Sequence, residues 1–96
     1  MARYVSTVKF TEKGLGSIKD TVKRSAAFAK AAAKMKITVS SVYWTLGPFD
    51  GLIIFDAPDD KAATAAMLSL AARGNVQTQT CRAFDTGEIE KIVGLL

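Results

Sequence analysis

Thr78, Thr80 and Arg82 alternate along an extended run near the end of the chain, so their side chains share one face of a strand. Thr7 and Lys9 form a second alternating series near the start. If the first and last strands are neighbours, two hydroxyls, a guanidinium and an ammonium could hold a carboxylate or phosphate between them. The competing reading is that Arg82 pairs with Asp50, Asp85 or an acid of a partner chain and only fixes the fold. Asp50 would serve as a general base if burial raised its pKa; an Asp after a Gly-Pro turn also commonly bonds nearby backbone groups. Tyr43 and Trp44 are consecutive, so only one of them can line a pocket on a given sheet face, and aromatics at such places usually belong to a core. Cys81 points away from Thr80 and Arg82 and is expected to be a buried, inert thiol.

There is no histidine and one cysteine. A Cys/His zinc site therefore cannot be assembled within one chain, and a Ser-His-Asp or Cys-His arrangement is impossible in the chain or any homo-oligomer of it. No metal site and no cofactor are expected. With one cysteine no internal disulfide can form, which fits a reducing compartment. The N-terminus passes straight into an alternating pattern without a signal-peptide apolar segment, and the cytoplasm is the expected location. No run approaches the roughly 18 consecutive apolar residues that cross a bilayer, so no membrane is expected as a partner.

These side chains must be positioned by elements, and the periodicity switches in order. Residues 4–10 alternate, with Tyr4, Val8 and Phe10 on one face and Val5 and Thr7 on the other. Residues 11–16 contain two glycines and read as a connection. A helix is expected over 17–36, with Ile18, Val22, Ala26, Ala29 and Ala33 as its apolar stripe and Lys19, Lys23, Lys30 and Lys34 on another face. Residues 37–46 are rich in β-branched and aromatic side chains and read as a strand, Gly47-Pro48 as a turn, and 49–55 as the returning strand. Ala57-Pro58-Asp59-Asp60 opens a second helix, with carboxylates at its positive end, that runs to Arg73 and stops at Gly74 in a left-handed cap. That helix is apolar around most of its circumference, either because it is buried on a second side or because alanine is tolerated anywhere on a helix. Residues 76–84 form the last strand. Asp85 or Thr86 then caps a short helix with Ile89, Ile92, Val93 and Leu96 along one edge.

Strand, helix, strand, strand, helix, strand is the split βαβ order of a ferredoxin-like α+β domain, here one domain over residues 1–96. Right-handed crossovers place both helices on one face of a four-stranded antiparallel sheet and leave the other face open. Val39 and Tyr43 are expected on one side of the second strand and Val42 and Trp44 on the other; Ile53 and Phe55 oppose Leu52 and Ile54 in the third. A sheet with one face in water shows cleaner alternation. The open face is therefore expected to be covered, most simply by the same face of a second subunit.

The runs Tyr43-Trp44-Thr45-Leu46-Gly47-Pro48-Phe49-Asp50, Ala57-Pro58-Asp59-Asp60 and Gly74-Asn75-Val76-Gln77-Thr78-Gln79-Thr80-Cys81-Arg82-Ala83-Phe84 resemble the GYD-domain family, as does the opening strand. The resemblance covers nearly the whole chain. It implies a ferredoxin-like fold related to dimeric α+β barrels, in which two sheets pack face to face and can enclose a pocket; it implies no assigned reaction. The Gly-Tyr-Asp element of the family name stands here as Gly47-Pro48-Phe49-Asp50, so a phenol at that place is missing and the aromatic reads as a packing residue.

Three function classes follow. One is a homodimer or higher homo-oligomer that binds a small, anionic ligand between its sheets, with Lys9, Tyr43, Thr78, Thr80 and Arg82 lining the site, or that acts as an interaction module. It accounts for a hydrophobic fraction of 49 %, high for so small a domain. A second is a cofactor-free oxygenase or isomerase of the barrel class, for which Asp50, Arg82, Tyr43 and Lys9 are the available acid-base or electrostatic groups. The third is RNA binding, since the net charge is +4 and RNA-recognition domains share the strand order. Against it, the third strand has an aliphatic middle and no basic residue, and much of the positive charge lies between Lys13 and Lys36, where a solvated helix face explains it.

Overall fold

The computed structural model describes residues 1–96. Strand β1 (Ala2–Phe10) is followed by a short helix α1 (Glu12–Gly16), a 3-10 turn (Ile18–Asp20) and helix α2 (Thr21–Ala33). Strands β2 (Thr38–Trp44) and β3 (Gly51–Ala57) form the hairpin, and α3 (Asp60–Ala72), β4 (Val76–Ala83) and α4 (Thr86–Val93) complete the chain. The sheet runs β2-β3-β1-β4 and every pairing is antiparallel, which is the ferredoxin-like order expected.

Period-two alternation decides the faces of β1. Tyr4, Ser6 and Val8 are buried under the helices, while Val5 and Thr7 lie on the other face. In β3 the alternation is complete: Gly51, Ile53, Phe55 and Ala57 are buried and the residues between them are partly covered. Tyr4, Val8, Ile53, Phe55 and Ala57, together with Phe28 and Ala32 of α2, Ile37, and Ala63, Ala66 and Met67 of α3, make one core. Tyr4 and Phe55 stack within it, ring centroids 5.3 Å apart.

Two expectations about the first helical region are corrected. The stretch 11–16 is not a plain connection: Thr11 caps α1, its hydroxyl oxygen accepting from the Gly14 N–H at 3.1 Å and its O–H donating to the Gly74 carbonyl at 2.5 Å. The single helix over 17–36 is in fact broken by the 3-10 turn, and α2 then presents Phe28 and Ala32 to the sheet. The stripe read from Ile18, Val22, Ala26, Ala29 and Ala33 does not carry the packing, since Val22 is 66 % exposed and Ala26 and Ala33 are exposed as well. One phenylalanine outweighs several alanines in apolar area, and it fixes the rotation of the helix.

A third correction lies in β2. A bulge between Val39 and Ser41 shifts the register, so that Val39 opposes Phe55 and Val42 opposes Ile53. Val39 therefore joins Val42 on the core side rather than sharing a face with Tyr43. Tyr43 opposes Leu52 and Trp44 opposes Gly51, on opposite faces as alternation requires.

The second helix starts and stops as its sequence indicates. Asp59 caps it, accepting from the Ala62 N–H at 2.9 Å, and Gly74 follows it with φ of 80°. That backbone region is open to glycine without steric cost.

Candidate functional site

Register places the candidate residues in two groups on opposite faces of the sheet. Thr78 opposes Val8, Thr80 opposes Ser6 and Arg82 opposes Tyr4, so all three look toward the helices. Lys9 opposes Gln77 and belongs to the open face, where Tyr43 also lies, 57 % exposed. The hydroxyls and guanidinium of β4 are thus not brought together with the Lys9 ammonium.

On the helix face, Thr80 donates to the buried Ser6 hydroxyl at 3.0 Å and Tyr4 donates to Asp60 at 2.5 Å. Arg82 pairs with Glu88 at 3.1 Å, donates to the carbonyls of Arg3 and Ala83, and lies over the Phe84 ring at 4.5 Å. Its acidic partner is Glu88 rather than Asp50 or Asp85. A guanidinium occupied in this way fixes the exit of β4 into α4.

Asp50 is likewise used by the backbone. Its carboxylate accepts from the Phe10 N–H at 2.9 Å, and its own N–H donates to the Val8 carbonyl at 2.8 Å. Together these contacts extend the β1 ladder past the end of β3.

The open face carries a continuous apolar centre from Val5, Leu52, Ile54 and Tyr43, with Cys81 opposite Val5. Cys81 is exposed there, contrary to the expectation of a buried thiol: alternation gives its face correctly, but that face has no cover within one chain. Around this centre stand Lys9, Gln77 and Gln79, and the directly opposed pair Arg3 and Asp56, joined by two contacts of 3.0 Å. The sequence reading missed the Arg3–Asp56 and Tyr4–Asp60 partnerships. Nothing local signals them: the register of β1 on β3 sets Arg3 opposite Asp56, and the docking of α3 on the sheet brings Asp60 to Tyr4, each across more than 50 residues.

Three ionisable groups shift, Arg3 being held protonated still more firmly by its hydrogen bond to Asp56. The hydrogen bond from Arg3, followed by its charge, holds the Asp56 carboxyl below the usual carboxylate range. Donation to Asp60, followed by burial, pushes the Tyr4 phenol up. Asp56 titrates lower in the folded than in the unfolded chain, so its contribution to stability is present above about pH 4 and lost as pH falls through the folded value. Tyr4 titrates higher when folded, so its contribution is present below about pH 10 and lost as pH rises through the folded value. The urea midpoint is expected to fall at both extremes, with Asp56→Asn making the acid fall shallower and Tyr4→Phe the alkaline fall. Acid and alkaline profiles unchanged by these substitutions would contradict the assignment.

The family model of the GYD domain matches residues 4–93. A curated protein of Thermus thermophilus, named glutamine synthetase and cystathionine beta-lyase binding protein, is 36 % identical over 53 residues, covering 55 % of this chain and 56 % of the relative. The chain thus matches only about half the length of that relative. Among solved structures, TTHA0845 from Thermus thermophilus superposes with a TM-score of 0.58 at 19 % identity, covering 90 % of this chain and 96 % of that one. An ACT domain protein from Streptococcus pneumoniae gives a TM-score of 0.50 at 12 % identity over 86 % of this chain and 90 % of that one. At such identities these two structures establish the ferredoxin-like fold and no activity.

Proposed function

Since the chain belongs to the GYD-domain family, we propose that it is an interaction module that works as a homodimer, with the open sheet faces of two copies packed on one another and the dimer presented to partner proteins. The observation that carries this reading is the bare sheet face, on which Val5, Leu52, Ile54 and Tyr43 form an apolar centre with no cover from the chain's own helices. A contiguous apolar patch of this kind marks an interaction surface. The charged and amide groups around it resemble the polar rim that surrounds the apolar core of a protein interface.

The partner class is taken from the relative named for binding glutamine synthetase and cystathionine β-lyase. The exposed Cys81 thiol fits a reducing compartment such as the cytoplasm. A small ligand held between the paired sheets would meet Lys9 and Tyr43, the two candidates that share the open face. The enzyme reading draws less support, because one Asp50 carboxylate oxygen and the Arg82 guanidinium are engaged by the fold.

Light scattering of the wild-type protein and of Ile54→Lys tests the reading. The expected result is a dimer or multiple of dimers for the wild type and an assembly at least twofold smaller for the variant, which places a charge at the centre of the face. A monomeric wild type, or a folded variant of unchanged mass, would overturn it.

A further inference from the structure

The space between the two long helices and the sheet is not filled at one end. Helix α2 meets the sheet through Phe28 and Ala32. Ser25 and Thr21 stand three and seven residues before Phe28 and turn to the same side, with side chains too short to fill the space above the sheet. Beneath them β3 opens with Gly51, which holds a buried place in the alternation of the strand but has no side chain to occupy it. Its backbone angles do not call for glycine, since among the glycines only Gly47 and Gly74 have positive φ. Short residues on both walls leave a cavity of about 70 Å³ with a mostly apolar lining. One water needs about 10–15 Å³ in such a space, so there is room for about five groups of that size.

Trp44 closes the β2 side. Its indole N–H donates to the Thr21 hydroxyl at 3.1 Å, which ties the end of β2 to the first turn of α2.

The charged groups in the lining are two guanidinium groups, Arg24 and Arg73, and one carboxylate, Asp50. Neither arginine is in an ion pair, since the two pairs of the chain are Arg3 with Asp56 and Arg82 with Glu88. Arg24 is nevertheless held in place, donating to the Ser17 carbonyl and hydroxyl at 2.7 and 2.9 Å and to the Gly14 carbonyl at 3.3 Å. These bonds leave part of its N–H fork unused. Asp50 gives one oxygen to the Phe10 N–H at the edge of the sheet. Two unpaired cations against one carboxylate, around an apolar cavity, complement an apolar molecule that ends in a single negative charge.

We propose that this cavity binds a small monocarboxylate whose branched hydrocarbon body, about four carbons, lies over Gly51 while its carboxylate meets Arg24 and Arg73. The site is complete within one chain and lies on the helix side of the sheet, so it is independent of the sheet-face dimer.

Titration with isovalerate tests it, because Trp44 is the single tryptophan of the chain and its fluorescence reports on the cavity directly. The expected result is a change that saturates by about 10 mM, as befits so small a ligand. Isovaleramide, which has the same body without the charge, should bind at least about tenfold more weakly. Arg73→Met should weaken isovalerate by about threefold or more and leave the urea midpoint unchanged, since Arg73 is exposed and has no acidic partner. Ser25→Leu, which fills the cavity from α2, should abolish the response. Absence of saturation, equal binding of the amide, unchanged affinity in Arg73→Met, or a full response in a folded Ser25→Leu protein would each overturn the proposal.

Discussion

Replacing Phe55 by alanine should lower the unfolding free energy by about 3–5 kcal/mol, the usual cost of emptying a fully buried aromatic site. Phe55 is 0 % exposed, opposes Val39 across the β2 bulge and Tyr4 across the centre of the sheet, and stacks on the Tyr4 ring. Relaxation cannot fill the vacancy easily, because two of its walls are the backbones of hydrogen-bonded strands. For a chain of this length the whole stability is about 5–14 kcal/mol, so the variant should be close to unfolded at 37 °C. Urea denaturation followed by Trp44 fluorescence measures the shift. A loss below about 1 kcal/mol would mean that Phe55 is not at the centre of the core.

Gly14→Ala should destabilise the domain by about 1–3 kcal/mol, the range for forcing extra volume into a packed site. Conformational freedom is not the reason. A β-carbon at Gly14 would sit 2.0 Å from the Asn75 carbonyl oxygen, and Gly14 is buried. The obstructing atom belongs to the backbone, so no side-chain rotation relieves the clash. The same Asn75 oxygen accepts from the Thr11 N–H at 3.1 Å, Thr11 donates to the Gly74 carbonyl, and the Lys13 ammonium donates to the Arg73 carbonyl at 2.6 Å. Moving α1 away would strain all three contacts. Gly16→Ala is the matched comparison, with nothing within 4 Å of the added carbon, and is expected to be neutral or slightly stabilising. Equal effects of the two substitutions on the urea midpoint would contradict the close approach.

The order of the four strands and the helices between them, the Gly74 stop of α3 and the cap of α4 were readable from residue types and spacing, though α1 and the 3-10 turn were not. Asp59, Gly74 and Asp85 act within a few residues of themselves, and local chemistry is what a sequence displays most directly. The face of α2 was not readable in the same way. Its alanines recur at helical spacing on more than one side, and only the third dimension shows that Phe28 selects the buried one. The bulge at Ser40 left no mark in the alternation, yet it turned Val39 to the other side of the sheet. The candidate ligand residues failed to converge for a related reason. Lys9 and Arg82 each sit on the face that period two assigns within its own strand, but whether two strands present those faces together depends on the register between them. Arg82 meeting Glu88 was within reach, since Asp85 and Glu88 spell a capping box beside it.

The first strand of the chain lies in the interior of the sheet, between β3 and β4. Its neighbours are separated from it by half the sequence or more, Val5 meeting Ile54 on one side and Cys81 on the other. During synthesis β1 therefore emerges first and waits longest. The hairpin of β2 and β3 is complete well before residues 76–83 leave the ribosome, and until then β1 has one edge unpaired. Closing loops of this length before any contact rewards them makes folding slow, and an interior strand left half-paired is a template for another nascent chain. Any chain interrupted before β4 should accumulate as aggregates rather than as a smaller folded domain.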